Sequence, residues 1–427
     1  MLRRVVLGAA TVLACVAPLH GQLRQQIEKE LFTFGTCGQP LCLDASQLIG
    51  HGDHFIPATQ SGGANLISFL STAIGISVSN TPISSASSGT TFKFEGGLPV
   101  KTSTSAGPIF AERAQTLGRG RWFVGLGVSA MNFERLRGVP LRDIQLNFTH
   151  QDVPPLDTLG NPIFENDFIN VKVAMDVSLL VTSFSLSYGL VDGVDLSVAV
   201  PFVRTSVQGH SIAQIVPVSG TNLHYFAGTQ TNPVLTAVAS TDGAASGLGD
   251  VTGRLKINVA QTNKIGVAIL GEARFPTGDE NNLLGSGAFS GRGLGIISAA
   301  FGDFNPHLNF GVTVRDAKQQ NNSIDANLGF DDLLAPWSTM VFDVLGSWQV
   351  GDSKLDVPPP VLYTYPSVRT LDVTNIPSQR DDYMSIAIGF KFATRRGIQI
   401  VTNALFPIRD SGLQPSVAWT AGLEYNF

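Results

Sequence analysis

The chain has 427 residues, a net charge of -5 and only 14% charged residues, against a norm of about 25%. No basic run stands out, which argues against a nucleic-acid partner, and beyond the N-terminus no apolar run reaches the roughly 18 residues of a spanning helix. Such a length holds one large β domain or two ordinary domains, and an apolar chain without a spanning helix is what a membrane β-barrel looks like, because half of each strand faces a wet lumen.

The first 21 residues read as a secretory leader. Arg3 and Arg4 are the basic region, Val5 to Val16 the apolar region, and Pro18 to Gly21 the polar exit. Cleavage near Gly21–Gln22 is one outcome. Val12-Leu13-Ala14-Cys15 also loosely matches a lipidation site at Cys15, with Leu13 a poor fit. Export puts Cys37 and Cys42 in an oxidising compartment, where a short-loop disulfide is expected.

Residues 22–105 are polar and irregular, with a helix expected over Leu23–Phe32 and β candidates at Phe69–Val78 and Thr90–Val100. The segment is expected to be a periplasmic piece or a plug, with the β candidates forming a first hairpin or a separate flap. Next comes the stretch 107–120, in which Glu112 and Arg113 sit among apolar neighbours. A periplasmic turn and an inward plug piece both fit it.

From Arg121 the pattern becomes regular. Trp122, Val124, Leu126, Val128 and Ala130 share one parity; so do Val194, Leu196, Val198, Val200 and Phe202. Side chains alternate faces along a strand, so each run gives an apolar and a polar face. In the pair around Gln261-Thr262-Asn263, Val251, Leu255, Ile257, Ile265, Val267 and Ile269 oppose Arg254, Lys256, Glu272 and Arg274. Further on, Leu308, Phe310, Val312 and Val314 oppose His307 and Arg315. Met340, Phe342 and Val344 oppose Asp343, and Met384 to Phe392 oppose Ser385 and Lys391.

The chain closes on Val417, Trp419, Ala421, Leu423, Tyr425 and Phe427, against small and polar residues. Short turns are expected near 191, 262, 303, 352 and 395. Long loops are expected over 207–246, 276–290, 316–336, 364–381 and 407–415. That rhythm fits a transmembrane antiparallel β-barrel of about 12 strands, or 14 if the early hairpin joins. The repeated charges need a wet face, and the opposite face is too large an apolar area to be bare in water. A secreted soluble β-sandwich is the alternative fold. The expected division is a leader over 1–21, an N-terminal segment over 22–105 and a barrel over 106–427.

Four segments carry a family likeness: Gly107–Trp122 (GPIFAERAQTLGRGRW), Gly247–Val259 (GLGDVTGRLKINV), Phe275–Glu280 (FPTGDE) and Pro306–Val314 (PHLNFGVTV). By their order and spacing the chain resembles the outer-membrane family named for the MetA pathway of phenol degradation, and more distantly the long-chain fatty-acid channels. The resemblance covers roughly 105–427. It implies a bacterial outer-membrane location and passage of small hydrophobic or aromatic compounds. The aromatic C-terminal residue Phe427 resembles the signal read by the barrel-assembly machinery.

No catalytic motif stands out, so an enzyme is not expected, nor is a cofactor. His51, Asp53 and His54 form the one close metal-ligand grouping, and a solvated loop is the preferred reading. Arg254, Lys256, Glu272, Arg274, His307, Arg315 and Asp343 are lumen or constriction candidates, with a charged ladder holding the wall as the plainer role. Asp279 and Glu280 are rim candidates, although Pro-Thr-Gly before them is turn chemistry. A passive channel is the first functional expectation. The second is a structural or adhesive barrel that moves nothing.

Overall fold

In the computed structural model the described residues are 22–34, 68, 70–75, 77, 92–95, 98–101, 105–150, 167–218, 224–315, 320–354, 357, 359–364 and 367–427. Twelve antiparallel strands close into a barrel: β1 Trp122–Leu136, β2 Phe168–Val191, β3 Val194–Val216, β4 Val251–Gln261, β5 Ile265–Phe275, β6 Ser290–Ala299, β7 Phe304–Arg315, β8 Ser323–Ala335, β9 Ser338–Gln349, β10 Tyr383–Ala393, β11 Ile398–Pro407 and β12 Leu413–Asn426. Each pairs with its sequence neighbours, and β12 closes on β1 from Asn426↔Phe123 to Leu413↔Leu136. Trp122 N donates to Phe427 O at 2.8 Å and Phe427 N to Trp122 O at 3.0 Å, so the last residue belongs to the seam. A closed ring leaves no strand edge in the wall.

One end of the ring carries the short turns at 192–193, 262–264, 300–303, 336–337 and 394–397, together with the C-terminus. The other carries the long connections. Beyond the ring at that end the β2–β3 hairpin rises further, paired as far as Phe168↔Val216. Strand Ile144–Thr149 adds to β2 on one side and strand Thr236–Leu248 to β3 on the other.

The sequence marks where the wall leaves the bilayer. Along β3 the outward residues Val194, Leu196, Val198, Val200 and Phe202 are apolar, and the next ones, Arg204, Ser206, Gln208 and His210, are polar. The inner face inverts in the opposite sense. On β2, Ser183, Ser185 and Ser187 face inward at the short-turn end, whereas Val177 and Leu179 face inward at the other end of the pairing with β1, and Ile169, Val171, Val173 and Met175 beyond it. The apolar outer run Val194–Phe202 spans nine residues, matching the roughly 9–11 residues of a tilted transmembrane strand. Its outward side chains are bare: Leu196 is 49% exposed and Phe202 47%. At the short-turn rim Trp122 stacks near Tyr188, with ring centroids 4.4 Å apart, and Tyr425 near Phe427 at 5.6 Å. Such aromatic belts sit at membrane interfaces.

The inverted end has a true apolar core. Helix α1 (Leu23–Glu28) and the following 3-10 turn Glu30–Phe32 bury Leu23, Ile27, Leu31 and Phe32 where they pack on β3, strand Thr236–Leu248 and the 3-10 turn Glu280–Asn282. Each such side chain contributes roughly 1.5–3 kcal/mol on burial. Gly209 makes room for them: a Cβ there would lie 2.7 Å from Leu31 Cδ2. The helix expected over Leu23–Phe32 is thus present in two short pieces.

Three expectations are corrected, and one pair of alternatives is decided. Phe69–Val78 is not a strand: its described residues are helical, and Leu70, Ala73 and Ile74 are buried at the i, i+3, i+4 spacing of one helix face. The hairpin Phe92–Glu95 with Leu98–Lys101 forms its own two-stranded sheet, so the barrel has 12 strands and not 14. The loop expected over 207–246 is largely strand, because beyond the bilayer both faces of a strand can carry polar residues. The loop expected over 316–336 contains β8, and its turn lies at 336–337 while 352 falls in the long connection 350–382.

Candidate functional site in the barrel lumen

A strap, residues 105–121, crosses the lumen at the short-turn end and then becomes β1. It has no regular structure, so its backbone polar groups must be satisfied by the wall. Ala106 N donates to Thr339 Oγ1 at 3.1 Å, Ala114 N to Ser298 Oγ at 3.1 Å, and Leu117 N to the Asp195 carboxylate at 3.0 Å. Asn309 grips both sides of one residue: its Oδ1 accepts from Glu112 N at 2.7 Å and its Nδ2 donates to Glu112 O at 2.8 Å. The inward parity of four different strands supplies these partners. Gly389 admits the strap's Ile109: a Cβ there would lie 2.5 Å from Ile109 Cδ1.

Charge pairs fasten the same strap. Arg113 is 3% exposed and donates Nε to Asp331 Oδ1 at 3.0 Å, with Nη2 bonded to Oδ2 of the same carboxylate, which also bonds Ser105. Glu112 pairs with Lys256 Nζ at 3.4 Å and with Arg254 at 3.7 Å. His307 Nε2 lies 2.7 Å from Asp343 Oδ1, and its Nδ1 lies 3.7 Å from Asp331. Lys391 Nζ meets Glu424 Oε2 at 3.1 Å nearby. Net gains from such buried pairs are small, but removing one partner strands the other charge at a cost of about 3–5 kcal/mol.

Between the strap and the apolar core lies a cavity of about 290 Å³. Its charged wall is written in the strand register. Arg254 on β4 stands opposite Glu272 on β5, and Glu272 opposite Arg292 on β6; Arg274 stands opposite Ser290, and Ser290 opposite Arg315 on β7. Arg254 Nε donates to Glu272 Oε2 at 2.7 Å, Arg274 lies 3.8 Å from the same carboxylate, and Arg292 lies 3.3 Å from Asp325. Arg315 Nη1 donates to Asn321 O and Ser323 Oγ, both at 2.9 Å. The facing wall carries Phe110, Met131, Phe133 and Leu345.

The lumen candidates therefore fall into two groups. Arg254, Glu272, Arg274 and Arg315 line the cavity, while Lys256, His307 and Asp343 lie at the strap with Glu112 and Arg113. The rim pair stands apart: Asp279 and Glu280 are exposed, and Asp279 caps the 3-10 turn Glu280–Asn282, accepting from Asn281 N at 3.0 Å. Sequence reasoning missed Arg292, Asp325, Asp331, Asp195 and Glu424. The signal for two of them was present: Ser323, Asp325, Asn327, Gly329 and Asp331 alternate with Ile324, Ala326, Leu328 and Phe330. Arg292 hides in a glycine-rich run that gives little apolar periodicity. Cys37, Cys42, His51, Asp53 and His54 lie outside the described residues. Among the described residues no group of three or more His, Cys, Asp or Glu is placed to hold a metal ion.

A closed barrel with an apolar outer band, an aromatic rim and a polar, partly filled lumen defines a bacterial outer-membrane β-barrel. The model of the family described as "Putative MetA-pathway of phenol degradation" matches residues 169–369, from β2 into the β9–β10 connection. The resemblance read from the sequence is borne out over that span, which leaves the strap motif outside it. Among solved structures, an outer membrane channel from Pseudomonas putida F1 is 11% identical, with a TM-score of 0.40, covering 74% of this chain and 98% of that one. A FadL homologue from Pseudomonas aeruginosa is 11% identical, with a TM-score of 0.30, covering 72% and 89%. The CymD monoaromatic hydrocarbon channel is 10% identical, with a TM-score of 0.32, covering 72% and 88%. No curated protein matches the chain.

Proposed function

We propose that this protein is a channel for passive passage of small hydrophobic or aromatic compounds across the outer membrane. The observation that carries the reading is the cavity inside the barrel, half walled by aromatic and aliphatic side chains, with a segment of the chain itself closing the lumen below it. The family match, described by phenol degradation, supports the solute class, as does the monoaromatic hydrocarbon channel among the structural likenesses. In this reading a solute enters from the long-loop end, rests in the cavity and leaves once the strap gives way, with no energy input. The leader over 1–21, the N-terminal periplasmic or plug segment over 22–105 and the barrel over 106–427 belong to the same proposal, as does recognition of Phe427 by the assembly machinery. The reading gives the protein no chemistry of its own.

The test is uptake of radiolabelled phenol by cells making the protein, against cells carrying an empty vector. Faster uptake is expected. Equal rates with a folded barrel in the outer membrane would remove the channel reading. A second reading then stands, a barrel that displays its long loops to partners and moves nothing. One observation favours it: helix α1 fills one end of the lumen and the strap crosses the other.

A further inference from the structure

The charged wall of the cavity is closed on itself. Arg254 Nε donates to Glu272 at 2.7 Å, and its Nη1 lies 3.7 Å from Glu112. Arg274 lies 3.8 Å from Glu272, and Arg292 3.3 Å from Asp325. Arg315 donates to Asn321 O and Ser323 Oγ, and Asp381 accepts two bonds from Arg137. An ion entering here would have to break one pair to make another, which favours a neutral occupant. The unmet group lies on the facing wall. Gln414, on β12, lines the cavity and is 8% exposed. Its amide nitrogen Nε2 is buried and has no hydrogen-bond partner among the described residues. The strand register gives it apolar company: Pro415 stands opposite Phe133 and Ala418 opposite Met131 on β1, with Ala418 also opposite Leu405 on β11. The pairing of β12 with β1 shifts on both sides of Pro415. Ser416, on the parity of Gln414, is exposed, while Gln414 and Ala418 are buried. Such irregularities re-aim single side chains. Here an amide is left in an apolar wall, where an unpaired polar group is costly.

We propose that Gln414 selects the solute: its amide bonds the hydroxyl of a neutral single-ring compound whose ring lies against Met131, Phe133 and Phe110. A hydroxyl both donates and accepts, so it satisfies whichever end of the amide it meets. A bare hydrocarbon of the same size leaves the amide unpaired, and a site with an unmet buried polar group discriminates against a solute that lacks the partner. Size sets the limit on the apolar part. At about 290 Å³ the cavity lies at the lower edge of the roughly 300–1,000 Å³ typical of ligand sites, so it takes one ring and not a long chain. The inference rests on the channel reading and narrows it from hydrophobic compounds in general to hydroxylated rings, with one residue responsible for the preference.

The test is equilibrium dialysis of radiolabelled phenol and toluene, two rings of like size with and without a hydroxyl, against the full-length, folded barrel in detergent, with empty micelles as the blank. Gln414→Leu is expected to weaken phenol binding about fivefold, the ordinary loss of one hydrogen bond, and to leave toluene unchanged or tighter. A retained heat-dependent gel shift checks that the variant is folded. Gln414→Met, closer in shape, gives the same reading if the leucine variant is not. Phenol and toluene weakened alike would show that Gln414 only shapes the cavity and would overturn the proposal. Phenol binding unmoved by the substitution would overturn it too, leaving the amide to water. Both results leave the channel reading intact. Binding of neither compound to the unmodified protein would also overturn the proposal, and uptake of phenol by cells would then decide separately whether the channel reading survives.

Discussion

At the scale of single residues, the lumen is held by groups whose cost of burial is met only in pairs. Asp331 is the centre: Arg113 and Ser105 reach it from the strap, and it is fully buried. Asp331→Ala leaves the Arg113 guanidinium buried without this partner, at a local cost of about 3–5 kcal/mol. The strap should then loosen while the wall stays closed. Hydrogen exchange of the Glu112, Ala114 and Leu117 amides reads this directly, and those amides should lose protection. Unchanged exchange would show that the neutral bonds from Asn309 and Ser298 hold the strap unaided. Glu112 and Arg113 were visible in the sequence as charges in an apolar stretch. Their partners were not, because Asp331 lies 218 residues from Arg113 and only barrel closure brings the two together.

At the scale of elements, polarity reverses along a single strand. On β3 the outward side chains pass from apolar to polar after Phe202, and the inner face fills with Val203, Val207, Ala213 and Ile215. An arginine facing lipid at mid-depth costs about 2–4 kcal/mol and close to nothing outside the bilayer. Val198→Arg should therefore destabilise the barrel by about that amount in reversible unfolding from bilayers, whereas His210→Arg on the same face should be nearly neutral. Equal effects would place the membrane boundary elsewhere. The sequence pattern showed Val194–Phe202 plainly, since one face was uniformly apolar. It lost the rest of the strand because the period-2 signal changes sign where the solvent changes from lipid to water.

At the scale of the whole molecule, twelve strands close through a seam that includes the terminal residue, and no wall edge is left to pull apart. Such a barrel should resist SDS until heated. The membrane fraction should show a band that shifts between unheated and boiled samples on a gel. A soluble protein without any shift would contradict both the lipid-facing band and the closure from Asn426↔Phe123 onward. Alternation and turn chemistry are local properties, and local physics settles them: which strands exist in most of the wall and which face meets lipid. How the lumen is filled is not local. The strap, the cavity above it and the arginine–carboxylate pairs along its wall arise from side chains on different strands meeting across a closed ring. Their pairing depends on register and closure, which no stretch of the chain carries alone.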